Sequence, residues 1–185
     1  MEFQHINAKV FVDGDLPFDT SRFINVFHSW IQEQTLPELL IDVADYCHVP
    51  DGPGVLLVCH EADYSMDHTD GQWGLRYNRK ATLAGSNEDR IRQALSAAGK
   101  ACGMLEKQFA GDGGLKFSRT AFEVFVNDRA LAPNTPEVVA AFESDLKKGL
   151  SKSLGADFAI TKADDKRRRV GAVIRLSRPA DFASV

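Results

Sequence analysis

The residues best suited to chemistry are crowded into one segment, Cys59 to Asp70, which holds two of the five histidines and four carboxylates. His60, Glu61 and Asp63 are its candidates for acid and base catalysis. On a strand, Glu61 and Asp63 would share one face about 7 Å apart. A desolvated carboxyl there would have a pKa raised toward neutrality. The alternative is that these groups are solvated acids at the end of a strand.

A metal site is the second interpretation of this segment. A four-residue hairpin loop, Asp51 to Gly54, would pair Tyr46 with Cys59 and place His48, Cys59 and Glu61 on one face. The other face would carry a second trio: Asp45, Cys47 and His60. Zinc accepts imidazole, thiolate and carboxylate ligands, so either trio predicts a divalent cation as cofactor. A register slip of one residue would exchange the faces, and Cys59 would then be a small core residue.

Two basic clusters are candidates for binding a ligand. Arg76, Tyr77 and Arg79 form the first, and Lys166 to Arg169 form the second. Arginine matches carboxylate and phosphate with two parallel hydrogen bonds, so both clusters predict an anion site. The alternative is a solvated charged turn that discourages pairing between sheet edges.

Two aromatic residues point away from the expected core. Phe11 and Phe125 alternate with inward valines on their strands. Either a second layer covers that face or the face binds something apolar. The simplest covering is a second copy of the chain, so we expect a homodimer.

Composition limits the classes of function. Of the 185 residues, 44% are apolar and 26% are charged, as in a globular protein, and the net charge is −4. We therefore expect no nucleic acid and no membrane as partner. The N-terminal sequence has neither a basic start nor an apolar run, and no window of about 18 apolar residues occurs. With three cysteines, this predicts a soluble cytoplasmic protein with reduced thiols.

Two segments of the sequence resemble each other, and this internal similarity bears on the fold. Val10 to Asp13 resembles Val124 to Asn127, and in each copy a Thr is followed seven residues later by a Phe. This predicts an α+β domain, residues 1–185, built from two βαββ-type halves, 1–110 and 111–185. They would form one largely antiparallel sheet, or two abutting sheets, with the helices on one face. The alternative is that any two strand-helix-strand units look alike.

The periodicity places the expected elements. Apolar residues at intervals of three and four predict three helices, starting near Thr20, Ser86 and Thr135. Alternating or continuous apolar residues predict seven strands. These strands are Phe3 to Asp13, Leu39 to His48, Val55 to Tyr64, Gln72 to Lys80, Leu115 to Asn127, Phe158 to Thr161 and Val170 to Leu176.

The order of tandem strand-helix-hairpin units resembles the vicinal-oxygen-chelate metalloenzymes. That resemblance implies a metal held inside a cupped sheet, with His5 and Glu61 at the kind of strand position that supplies ligands. The second half of this chain offers no matching pair.

Three functions follow from these patterns. The first is a non-enzymatic domain that binds a small ligand or a protein and self-associates. The second is a small-molecule enzyme, with or without a metal, whose site lies in the hairpin of residues 45–70. The third is nucleic-acid binding through the basic turns, which would depend steeply on salt. The sequence does not decide whether the protein is an enzyme.

Overall fold

The computed structural model describes residues 1–111, 113–155, 157–162 and 167–185. Within these ranges the chain forms eight strands and three helices. The strands are β1 (Ile6–Val12), β2 (Leu40–Tyr46), β3 (Gly54–Cys59), β4 (Ala62–Asp67), β5 (Gly74–Arg79), β6 (Phe117–Val126), β7 (Phe158–Lys162) and β8 (Gly171–Leu176). The helices are α1 (Ser21–Glu33), α2 (Asn87–Gln108) and α3 (Pro136–Leu154).

All eight strands join one antiparallel sheet in the order β2-β3-β4-β5-β1-β6-β8-β7. The α+β class is confirmed, and the sheet is single rather than two abutting ones. Strand β1 lies at the centre, between β5 and β6. The halves of the chain therefore meet along the β1–β6 pair.

The two halves build their sides of the sheet differently. The hairpin β7-β8 lies directly beside β6, whereas the hairpin β4-β5 separates β1 from β2 and β3. The expectation of one strand from Val55 to Tyr64 was wrong, because a turn at His60 and Glu61 divides it into β3 and β4. The internal duplication and the treatment of residues 1–185 as one domain stay predictions.

Local sequence accounts for the helix boundaries. Helix α1 ends where Gln34 takes a left-handed conformation, with φ 47°. Helix α2 begins with a capping box, in which Ser86 and Asp89 each accept a backbone hydrogen bond from the other. The Thr135 side chain caps α3, and Pro136 occupies its first turn.

The helices cover one face of the sheet. Helix α2 packs against β1, β5 and β6, α1 packs against β2 and β3, and α3 packs against α2. Alternate residues such as Ala8, Val10, Leu57 and Tyr77 face these helices, and each is fully buried. They belong to one continuous apolar cluster that also contains the buried face of α2.

Among the described residues, no helix has the length and apolar character needed to cross a bilayer.

Candidate anion-binding cavity

The face of the sheet opposite the helices forms a cavity of about 700 Å³. Residues from β1, β6, β7 and β8 line it, together with the loop after β4, the turn before β8 and Arg76 of β5. The described lining contains seven basic side chains and four acidic ones. The basic ones are Lys9, Arg76, Arg129, Lys162, Arg168, Arg169 and Arg175. The acidic ones are Asp13, Asp67, Asp70 and Glu123.

Strand register places three charged residues side by side on the cavity floor. Lys9 of β1 lies opposite Arg76 of β5 on one side and opposite Glu123 of β6 on the other. Because side chains alternate along a strand, these residues face away from the valines and alanines that contact the helices. The backbone ladder therefore fixes the order Arg76, Lys9, Glu123 across the sheet.

Lys9 and Arg76 are held by one buried carboxylate. The Lys9 ammonium lies 2.7 Å from Asp67 Oδ1, and Arg76 Nη1 lies 2.9 Å from Asp67 Oδ2. The side chains of Lys9 and Asp67 are 2% and 0% exposed. Asp67 also accepts hydrogen bonds from the amide and hydroxyl of Thr69. A buried carboxylate with this many donors keeps both cations in fixed positions.

The path of Lys9 depends on the glycine that starts β5. A Cβ on Gly74 would lie 2.9 Å from two carbons of the Lys9 stem and 2.7 Å from the carbonyl oxygen of Val10. Only glycine leaves room for the stem to cross the neighbouring strand. Gly74 therefore allows a lysine to reach Asp67 from the centre of the sheet.

Arg76 also contains an unsatisfied buried donor. Its Nε is buried and, among the described residues, is the one buried side-chain nitrogen or oxygen atom without a hydrogen-bond partner. An orphaned buried donor costs free energy unless something accepts from it. Arg76 lines the cavity through other atoms, so its positive charge acts on an anion that enters there.

Glu123 has a different environment from Asp67. Its carboxylate makes no hydrogen bond or ion pair with any residue that the structure describes. Burial raises the pKa of Glu123, and the charge of Asp70 acts in the same direction. Lys9, Arg168 and Arg169 oppose that rise without cancelling it. Glu123 is thus a titratable group without a fixed partner, beside a fixed cation.

The turn before β8 supplies the outer cations. Arg168 forms an ion pair with Asp70. Arg169 donates to Asn127 Oδ1 at 2.8 Å, and its guanidinium lies 4.2 Å from the centre of the Phe125 ring. Burial is the largest cause that lowers the pKa of Arg169, and the charge of Arg76 acts in the same direction.

A bulge in β6 shapes the opposite rim. Val10 pairs with Phe122, whereas Val12 pairs with Phe117, so β6 contains extra residues between these pairs. Ser118 stabilises the bulge, because its hydroxyl accepts hydrogen bonds from the amides of Thr120 and Ala121. A bulge redirects side chains locally, and here Ser118 and Thr120 both line the cavity.

The three residues predicted for acid and base catalysis do not meet. Glu61 lies in the β3–β4 turn, where it accepts from the Leu39 amide, so it shares no strand face with Asp63. His60 is exposed beside it. Asp63 accepts from the Cys59 amide and pairs with Lys80 at 2.7 Å, which makes it a structural group.

The metal trio is not assembled either. Tyr46 pairs with Gly54, so the expected pairing with Cys59 was wrong because the hairpin loop is longer than assumed. His48 is exposed in that loop, while Cys59 is fully buried and burial raises its pKa to about 12. No group of three potential metal ligands occurs among the described residues. His5, implied by the resemblance to metalloenzymes, lies before β1.

The predicted ligand-binding triplet separates by strand alternation. Arg76 lines the cavity. Tyr77 is fully buried on the helix face, where its hydroxyl accepts from Gln93. Arg79 donates to the Ala81 carbonyl oxygen and the Tyr77 hydroxyl. Of the second basic cluster, Lys166 lies outside the described residues, and Arg168 and Arg169 line the cavity.

The sequence interpretation missed Lys9, Asp67 and Glu123. A signal for two of them was present: Lys9 and Glu123 lie two residues before Phe11 and Phe125, and so on the same outward face. Phe11 and Phe125 line the cavity, and Phe125 is only 5% exposed. Both aromatic residues are thus part of a cavity wall, and the subunit interface expected at this face stays a prediction.

Comparison of the chain with protein-family models, curated proteins and solved structures gives no match.

Proposed function

We propose that this protein binds a small organic anion in the cavity on the open face of its sheet. The observation that carries the proposal is the excess of cations in the cavity, seven against four, in a chain whose net charge is −4. Positive charge is concentrated at one concave site while the rest of the molecule is acidic. Such a site focuses the electrostatic field on a small anion.

The lining also indicates the kind of anion. Arg76 and Arg169 supply planar donors that match a carboxylate or phosphate. Phe11 and Phe125 supply apolar area in the same cavity. We infer a ligand with an acidic group on an apolar, preferably planar, body. The volume of about 700 Å³ lies within the range typical of small-molecule sites.

Nucleic acid fits this surface poorly. Binding to a phosphate backbone requires a basic stripe of some length, and the basic residues here face a cavity on a protein with excess acid elsewhere. A small ligand is therefore the better match for the same arginines.

The test is to titrate the protein at low salt with inorganic phosphate and, separately, with phenylpyruvate. Calorimetry and NMR measure the binding of each anion. Arg169→Gln should weaken binding by about tenfold or more, because a charge-assisted hydrogen bond is lost. The matched control is Arg92→Gln, which removes an arginine of α2 that does not line the cavity and should leave affinity unchanged. Absence of saturable binding of both anions, or equal loss in the two variants, would contradict the proposal.

Self-association is a separate proposal and rests on the edge of the sheet. Leu39, just before β2, and Ile41 in β2 are 57% and 53% exposed on an unpaired edge strand. Such an edge pairs readily with its counterpart in a second copy. Ile41→Lys should convert a dimer to monomer in sedimentation equilibrium, whereas Ala159→Lys on the opposite edge strand should not. A wild-type monomer at all concentrations would refute it.

The cytoplasmic location also stays a proposal, supported by the sequence features given above. Fractionation of cells that produce the tagged full-length chain tests it, and recovery in a membrane or secreted fraction would overturn it.

A further inference from the structure

We propose that the cavity is also an active site, in which the Glu123 carboxylate removes a proton from a carbon next to a carbonyl group of the bound anion and returns it. This inference rests on the proposed anion binding, since the acid group of the substrate would be held by the arginines. The substrate class is that of 2-oxo acids with a C–H bond adjacent to the carbonyl. The reaction class is enolisation, which exchanges the proton or isomerises the keto form to the enol.

Glu123 has the placement that a general base requires. It lines the cavity, and no described residue pairs with its carboxylate. Two of the other three acids that line the cavity are engaged by cations. Asp67 pairs with both Lys9 and Arg76, and Asp70 pairs with Arg168. A base must be accessible to its substrate and free of a competing ion pair. Glu123 meets both requirements.

The neighbouring cations suit the negative charge that forms during the step. Lys9 lies directly opposite Glu123 in the β1–β6 pair, and Arg76 lies opposite Lys9 in the β1–β5 pair. Asp67 holds both cations before any ligand arrives. The Lys9 ammonium is 2% exposed beside Asp67, so it acts on the cavity through its charge, whereas Arg76 and Arg169 are lining residues that can contact an enolate oxygen. Charges fixed in advance stabilise such an oxygen without the cost of reorganisation.

The step balances without any further reactant. A Glu123 oxygen forms a bond to the proton as the C–H bond breaks, and the electron pair of that bond forms the C=C bond of the enolate. The carbonyl π electrons move to oxygen, beside the cations. The protonated Glu123 then exchanges its proton with solvent, and transfer of the solvent-derived proton to the same carbon restores the substrate with its hydrogen exchanged. Transfer of the proton from Glu123 to the enolate oxygen instead yields the enol and restores the carboxylate.

Charged groups around Glu123 come from several elements. Lys9 faces it from β1, Asp70 from the loop after β4, and Arg168 and Arg169 from the turn before β8. The net effect of this surrounding, with burial as the largest cause, raises the pKa of Glu123. A carboxylate with a raised pKa is a stronger base when ionised. Its rate should therefore rise with pH through a midpoint above that of ordinary glutamate.

The experiment follows deuterium incorporation at the carbon next to the carbonyl of phenylpyruvate, in D₂O, by proton NMR. The full-length protein is used, and binding of phenylpyruvate is measured on the same samples. Wild-type protein should accelerate exchange above the buffer rate. Glu123→Gln should lower that acceleration by about 10²–10⁴-fold and still bind phenylpyruvate. Glu123→Asp, which keeps the carboxylate, should retain a measurable part of it.

The control is Glu137→Gln, which removes an exposed glutamate at the start of α3 and should leave exchange unchanged. Wild-type protein that binds phenylpyruvate but does not accelerate its exchange would overturn this inference and leave anion binding intact. Full exchange activity in Glu123→Gln would overturn the role of Glu123. Failure to bind either phosphate or phenylpyruvate would overturn the proposed function, and this inference with it.

Discussion

The two faces of the sheet are made by alternate residues of the same strands, yet they bury side chains by different means. In β1, Ala8 and Val10 pack under α2, whereas Lys9 between them is just as buried on the opposite side. On the helix face, burial removes apolar area from water. On the cavity face, burial is compensated by ion pairs centred on Asp67.

The difference bears on where the proposed ligand would bind. A purely structural sheet face can be covered by apolar packing, because replacing buried ion pairs with apolar residues is often neutral or stabilising. On the cavity face the buried carboxylate of Asp67 instead fixes the position of Arg76, which lines the cavity. The helix face is thus an apolar core, and the opposite face holds a buried network of charges beside the proposed site.

The largest effect is expected from Asp67→Asn, which leaves Lys9 and Arg76 as buried cations without a compensating charge. The free energy of unfolding should fall by about 3–5 kcal/mol, as measured by urea denaturation. Lys147→Gln, which removes one member of an exposed pair on α3, should cost less than about 1 kcal/mol. Equal losses in the two variants would show that charge on the cavity face is not a buried network.

Two adjacent leucines of β3 lie on opposite faces of the sheet, so their substitutions compare how much each face contributes to stability. Leu57 is fully buried under the helices, and Leu56 is partly exposed on the other face. Leu57→Ala should cost about 2–5 kcal/mol, because it leaves a cavity in the core. Leu56→Ala should cost about 1 kcal/mol. Thermal and urea unfolding of both variants check the order, and a larger loss for Leu56→Ala would reverse the assignment of the faces.

Glu123→Gln should stabilise the protein at neutral pH by roughly 0.5–2 kcal/mol, since it removes a charge that burial disfavours. The folded-state pKa of Glu123 is raised, so the unfolded chain releases this proton first as the pH increases. The contribution of Glu123 to stability is therefore complete below the ordinary glutamate pKa and is lost as pH rises through the folded pKa. The advantage of Glu123→Gln should disappear in acid.

Glu137→Gln should change the free energy of unfolding in the opposite direction, with the opposite dependence on pH. Hydrogen bonds lower the pKa of Glu137 at the start of α3, so its contribution is present above the ordinary glutamate pKa and is lost as pH falls. Urea midpoints of both variants across the acid range measure this contrast. Parallel pH dependence in the two variants would contradict the environment assigned to Glu123.

The smallest effect on stability is expected from Arg168→Gln. Arg168 and Asp70 form an exposed pair, so its loss should change the free energy of unfolding by less than about 1 kcal/mol. Phosphate binding should nevertheless weaken severalfold, because a cation leaves the rim of the cavity. Unchanged affinity, measured by calorimetry, would place the ligand deeper, toward Arg76.

Periodicity predicted much of the architecture because it depends on local rules. The capping box at Ser86 and the alternation in β1 each depend on a few adjacent residues, and both are present. Pairing between strands depends on loop length, and the sequence did not reveal that Tyr46 would pair with Gly54. The predicted metal trio failed with that register.

The site was difficult to predict because its members are distant in sequence. Lys9, Asp67 and Glu123 come together only through the order β4-β5-β1-β6, which no local pattern encodes. Arg76 and the outward Phe11 and Phe125 were recognised individually. Their common cavity required the sheet order as well as the alternation.

The central position of β1 also affects how the protein folds. Its two neighbours are distant in sequence, since β5 spans Gly74–Arg79 and β6 spans Phe117–Val126. The middle of the sheet therefore forms only through contacts that close long loops of chain, and such contacts slow folding.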